Sequence, residues 1–238
     1  MNFTRHATHH ARSASYDKGL REYMIGVFNN MFIALLITGL VSFVTLSTPL
    51  IGMYFSAAGG MSGLGWLLTF APLIFVFVFA SKIMHVSTNT ARMMLWGFGA
   101  LMGLSLAPIF LMYTAESITR VFFITASMFA GMSIWGYTTK RDLTAMGSFL
   151  IMGLIGVIIA SLVNFFMQSS AMHFVISLLS VIIFTGLTAY DVQKIARIYH
   201  MHPAGSMRDK AAIQGALSLY LDFINLFLAM LRLFGDRR

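Results

Sequence analysis

The chain has 238 residues, 58% of them hydrophobic and 10% charged, with a net charge of +8 and no cysteine. Soluble domains carry about a quarter charged residues, so this composition excludes a soluble globular domain and predicts an all-α, polytopic integral membrane protein. Without cysteine there is no disulfide framework, thiol nucleophile or thiolate metal site. The basic residues fall in short loops between apolar runs, which ties the positive charge to membrane topology rather than to a nucleic-acid partner.

Residues 1–22 are polar and read as a disordered cytoplasmic tail ahead of a transmembrane domain over 23–234. The tail is too long for the n-region of a cleavable signal, and no small-residue cleavage site follows a short apolar core. His6, His9 and His10 have no carboxylate or thiolate at ligand spacing, so the tail is not read as a metal site. A helix needs about 20 mostly apolar residues to cross the hydrocarbon core. Seven segments meet or approach that length: Tyr23 to Leu46, Leu64 to Met84, Thr90 to Met112, Ile118 to Tyr137, Met146 to Met167, Met172 to Asp191 and Ala211 to Leu233.

The loop from Ser47 to Gly63 carries no charge and reads as extracytoplasmic, whereas Lys82, Arg92, Lys140, Arg141, Lys194, Arg197, Arg208 and Lys210 fall in the alternate turns. With Arg5, Arg12, Lys18 and Arg21 of the tail, they put the N-terminus in the cytoplasm. The last segment is ambiguous by charge. If it crosses, Arg232, Arg237 and Arg238 lie outside, against the bias; if it re-enters, they stay inside. Small residues at spacings of three and four mark packing stripes in three spans: Gly99, Gly103 and Ala107; Ser127 and Gly131; and Gly153, Gly156, Ala160 and Asn164. The 19 methionines are scattered and read as adaptable packing.

The last two spans each carry one aspartate. An ionisable group in hydrocarbon costs about 2.5–3.5 kcal/mol on insertion scales, which makes an intramembrane acid a functional candidate with a partner to be named. Asp222 shares a helical face with Gly215, Ser218, Asn225 and Ala229, and Asp191 shares one with Ser177, Ser180, Phe184 and Thr188. Continuing the sixth helix to about Tyr199 brings the two acids to comparable depth, so each is the expected partner of the other. One proton shared between them would tie the helices together. Its loss leaves two negative charges that repel or take a hard cation such as calcium, whose ligands are oxygens.

The segments SIWGYTTKRDL, MGSFLIMGLIGVIIASLVNFF, TGLTAYDVQKI and ALSLYLDFINLFLAMLRLFG resemble the bacterial branch of the Bax inhibitor-1 family, and the similarity extends from about Thr90 to Phe234. The resemblance implies seven helices with the C-terminal one central in the bundle, residence in a bacterial inner membrane, and a pH-sensitive calcium leak. Its sensor would be a di-aspartyl pair at Asp191 and Asp222, which would also be the calcium ligands. It further implies a basic partner of that pair in the second span. Here the end of the span reads SKIMHVST, which offers Lys82 and His85. Some relatives are associated with modulation of a membrane-anchored AAA protease, so an interaction protein is the alternative reading, with the polar tail as a natural handle.

The remaining candidates are Ser218 and Asn225 beside Asp222, and Glu116 at an extracytoplasmic turn, where it attracts cations or pairs locally with Arg120. Asp142, beside Lys140 and Arg141, reads as solvated. No nucleophile, base and orienting group converge, and no glycine loop is built to cradle phosphate, so no enzyme activity and no cofactor are expected. The expected partners are the bilayer, protons and calcium, with a membrane protease on the alternative reading.

Overall fold

A computed structural model describes residues 3–56, 59–202 and 205–238, with side chains from Lys18 onward. Its helices are α1 (Phe3–Ser47), α2 (Gly63–Lys82), α3 (Thr88–Leu111), α4 (Ala115–Thr138), α5 (Thr144–Met167), α6 (Ser170–Met201) and α7 (Ser206–Phe234), with a 3-10 turn over Pro49–Tyr54. All seven are long and apolar enough to cross a membrane, α1 from Lys18 onward. Several starts are set by side-chain caps: Ser62, Ser87, Thr114 and Ser169 each accept from the backbone N–H three residues on. The backbone of the tail read as disordered is helical from Phe3 as a continuation of α1, since extending a formed helix needs no new nucleus. The side chains of His6, His9 and His10 lie outside the described residues.

The bundle is wrapped on α7. Of its most apolar stretch, 61% is buried, against 39% or less for every other span. It packs against α1, α3, α4 and α6, while α2 leans on α3 and α5 on α6. The outward faces of α2 and α5 present Phe77 and Phe166 to lipid, as helices without a polar duty can.

Small residues decide where backbones touch. A Cβ at Gly99 or Gly103 would meet the carbonyls of Ala34 and Thr38 at 2.6 Å, so these two glycines let α3 lie directly on α1. Hydroxyls lock the same seam: Ser42 Oγ donates to Gly103 O (2.8 Å), and Thr38 Oγ1 lies 2.9 Å from Gly99 O and 2.7 Å from the Tyr220 hydroxyl. Thr38 Oγ1 is equally near Ala34 O (2.9 Å) on its own helix, and because carbonyls only accept, its one proton is shared between the two while Tyr220 donates to Thr38. The stripe expected on α4 is on the wrong face: Ser127 and Gly131 are exposed. The packed face carries Val121, Thr125, Phe129 and Ser133, because α4 meets α7 through rings, Phe129 and Phe122 each lying edge-on to Phe223 at 5.5 and 5.7 Å. On α5, Gly153 packs on Ile183 but Gly156 faces open space, and buried Asn164 closes the α5–α6 turn by accepting from Ser169 N (3.0 Å).

Both ends of the bundle are tied by polar contacts. At one end Asp142 is exposed, as expected, yet paired: its Oδ1 accepts from Thr144 N (2.8 Å), Thr144 Oγ1 (2.6 Å) and Arg197 Nη2 (2.7 Å). Gln193 joins the clamp, accepting from Leu143 N (2.9 Å) and donating to Arg141 O (2.8 Å), so α6 holds the α4–α5 turn. Lys210 Nζ at the start of α7 donates to Met84 O (3.1 Å) at the same end. At the other end the residues after α7 pair with the α3–α4 turn: Thr114 N donates to Asp236 O (3.0 Å) and Arg238 N to Met112 O (3.0 Å). Arg120 binds Asp236 (2.8 Å), not Glu116. α7 thus runs from one end of the bundle to the other, the course of a crossing segment.

Two outcomes follow. Reporters inserted in the turn at Thr114 and fused after Arg238 are expected on one side of the membrane, the outside by the charge bias, with a reporter after Arg141 on the opposite side; a reporter after Arg238 on the Arg141 side would mean a re-entrant α7. The second outcome concerns acid stability. The Thr144 side chain, Arg197 and the Thr144 N–H hold the Asp142 carboxyl well below the usual carboxylate range. A carboxyl depressed in the folded state stabilises above its unfolded pKa, and the benefit is lost as pH falls through the folded value. Asp142→Asn should therefore unfold at lower temperature than wild type at neutral pH, with the gap closing below roughly pH 4.

Candidate functional site

The polar centre of the bundle lies between α6 and α7. Helical spacing carries Asp222 to the face of α7 that meets α6, where it is 5% exposed, and Asp191 to the facing side of α6, where it is half-buried. Both carboxyls line one cavity, near enough to act electrostatically on each other. Asp222 Oδ2 is buried with no hydrogen-bond partner, and among the described residues neither acid forms an ion pair with an arginine, lysine or histidine.

The hydroxyls flanking Asp191 turn out to be occupied. Ser177, Ser180 and Thr188 each donate to the carbonyl four residues back on their own helix, which satisfies them without a ligand. Asn225 also uses its Nδ2 on Leu221 O (2.8 Å). Ser218 and Asn225, one turn either side of Asp222, line the same cavity as both acids. That cavity measures about 530 Å³ and lies among α5, α6 and α7, with Leu73 of α2 on its wall. A second cavity of about 130 Å³ shares Asp191, Lys194 and Ser218 with it and continues past Gln214 and His202 to Met84. No group of three or more metal-ligating side chains gathers among the described residues. Two carboxyls with Ser218 and Asn225 beside them supply part of the six to eight oxygens calcium takes, leaving the rest to water.

The basic residues near the pair differ from those expected in the second span. Lys82 ends α2 and His85 lies in the turn after it; both are exposed, and neither lines the acid-bearing cavities. Lys194 is the nearby cation instead. It follows Asp191 by three residues on α6, lines both cavities and acts electrostatically on both acids, with its Nζ 5.8 Å from the Tyr190 ring centroid. The i, i+3 spacing was visible in the sequence, but there Lys194 counted only as a loop charge. Arg232 was likewise read only for topology, and it lines the far part of the larger cavity. Glu116 sits exposed in the first turn of α4, away from both cavities.

Seven spans, one of them a central acid-bearing helix, define the class, a multi-pass integral membrane protein with a polar cavity within the bundle. The family model described as inhibitor of apoptosis-promoting Bax1 matches residues 20–238, and the chain belongs to the Bax inhibitor-1 family. It is similar to protein RP147 of Rickettsia prowazekii (strain Madrid E), 43% identical over 239 residues that cover 100% of this chain and 99% of the relative. Inner membrane protein YbhL of Escherichia coli (strain K12) is 42% identical over 224 residues, 92% of this chain and 94% of that one. A Borreliella burgdorferi protein is 45% identical over 219 residues, 91% of this chain and 93% of its own length.

The position of Asp191 depends on a backbone contact two residues before it. A Cβ on Gly136 would run into Ala189 O and come within 2.7 Å of Ala189 Cα, so α4 rests directly on α6 there. Gly136→Ala should lower stability by about 1–3 kcal/mol through overpacking, read as a lower thermal midpoint in detergent, whereas Gly131→Ala, with open space around it, should leave the midpoint unchanged.

Proposed function

We propose that the protein is a pH-sensitive cation leak of a bacterial inner membrane, with calcium as the permeant ion and Asp191 and Asp222 as gate and proton sensor. What carries this reading is that the two carboxyls line one cavity, with Asp191 also on the wall of a second that adjoins it. A proton shared between them ties α6 to α7 across the route. When it leaves, the two charges repel, the helices part, and the paired oxygens with those of Ser218 and Asn225 offer a passing cation partial coordination. Lys194 takes the role that the resemblance gives to a basic residue of the second span, neutralising the pair until a cation replaces it. Calcium is cargo here and not a cofactor, no reaction is catalysed, and the N-terminus faces the cytoplasm.

The test is calcium flux in proteoliposomes as a function of pH. Asp191→Asn and Asp222→Asn should each flatten the pH dependence, and the double variant should add little, because members of one unit are not additive. Single effects that sum would mean that the carboxyls act apart, and the latch fails. Deleting residues 2–20 should leave flux intact; lost flux would favour a tail-dependent interaction role over a leak.

A further inference from the structure

Arg232 lies two residues before the end of α7. Its Nε donates to Leu228 O (3.2 Å) on its own helix, and no carboxylate among the described residues pairs with it. Asp222 does not fill that place, being about 15 Å back along the helix. Arg232 is exposed at the end of the span, so a guanidinium without a carboxylate partner there is open to an anion from outside the protein. Its surroundings show how the charge is met. Arg232 borders a separate cavity of about 220 Å³ between the first turns of α6 and the end of α7, lined also by Ser170, His173, Ser177 and Arg237. Arg237 has no carboxylate partner either, since its neighbour Asp236 is held by Arg120 at 2.8 Å. The cavity thus gathers two guanidiniums and an imidazole with no acid on its wall.

We infer that this cavity binds a phosphate group, clamped by Arg232 and Arg237. Guanidinium forks match phosphate oxygens in a bidentate manner. The opening turns of α6 add backbone polarity of the right sign, and Ser170 adds a hydroxyl, whereas Ser177 already gives its proton to His173 O. The phosphate can come from a phospholipid headgroup or from free inorganic phosphate. Because Arg232 also borders the cavity of the acid pair, an anion seated there would neutralise the positive end of that cavity. On the leak reading the site would therefore regulate cation passage; the binding itself does not depend on that reading.

The experiment measures thermal unfolding of the full chain, delipidated in an uncharged detergent, with three additions: inorganic phosphate, dihexanoyl-phosphatidylglycerol, and dihexanoylglycerol as the same chains without phosphate. At saturation the midpoint of wild type should rise by roughly 2–4 °C with a phosphate-bearing ligand and not with dihexanoylglycerol. A rise with phosphatidylglycerol alone identifies a headgroup site, and a rise with both ligands identifies a site for the free anion as well. The paired change Arg232→Gln and Arg237→Gln should abolish the rise, while Lys140→Gln with Arg141→Gln, which removes equal charge at the opposite end, should keep it. Should the first pair fail to fold, Arg237→Gln alone, beyond the helix, should weaken the apparent affinity several-fold. No rise with either phosphate ligand, or a rise that the Arg232 and Arg237 changes leave intact, overturns the site.

Discussion

The constraint on which the whole structure depends is the cost of carrying ionisable groups through hydrocarbon. Asp222 sits near the middle of α7, so that helix cannot face lipid on its acid-bearing side. The fold answers by wrapping α1, α3, α4 and α6 around it and leaving the mostly apolar α2 and α5 at the periphery. Asp191 lines the same cavity from α6, and the α6–α7 seam becomes the place where the two intramembrane acids gather. Lipid exerts no hydrophobic force between helices, so this arrangement needs specific contacts to hold it.

Those contacts are backbone approaches and hydroxyl bonds. Gly99 and Gly103 admit the α1 backbone, Gly136 admits that of α6, and Thr38 bridges α1 to both Gly99 and Tyr220. Most polar side chains along the seam are satisfied within their own helix, as in the bonds of Ser180, Thr188 and Asn225. Asp222 Oδ2 and Thr185 Oγ1, both buried, have no such partner. Stiff packing on both sides of α6, from Gly136 against Ala189 to Gly215 against Ile195, leaves the acid pair between rigid walls, so losing a shared proton would act on helix positions and not on loose side chains.

Spans, charge bias and the acid pair were legible in the sequence because each rests on a one-dimensional signal: hydropathy over about 20 residues, lysine and arginine counts, and an acid in an apolar run. Facing directions were harder. Ser127 and Gly131 look like a packing stripe, yet the aromatic faces of α4 and α7 bury more surface and turn those small residues to lipid. Long-range pairing was invisible. Arg120 passes over Glu116, four residues away, for Asp236, because the chain beyond α7 folds back on the α3–α4 turn. Asp142 gained its Arg197 partner in the same way, from a helix distant in sequence. The basic neighbour of the acids was sought in the second span, by resemblance, when Lys194 stood one turn from Asp191.

Lys194 and Arg232 lie at opposite parts of the acid-lined cavity, but distance gives them different duties. At an effective dielectric of about 20, unit charges about 6 Å apart interact by about 3 kcal/mol, and at about 15 Å by about 1 kcal/mol. Spacing of i and i+3 on one helix gives Lys194 the shorter range to Asp191, whereas Arg232 lies at the longer range from Asp222. Lys194 is therefore the cation nearer to the pair. Arg232 is too far away to be neutralised by the acids, yet near enough to oppose a cation at its end of the cavity. Its own charge has to be met from outside the protein, and the acid-free cavity it shares with Arg237 is where an anion can reach it.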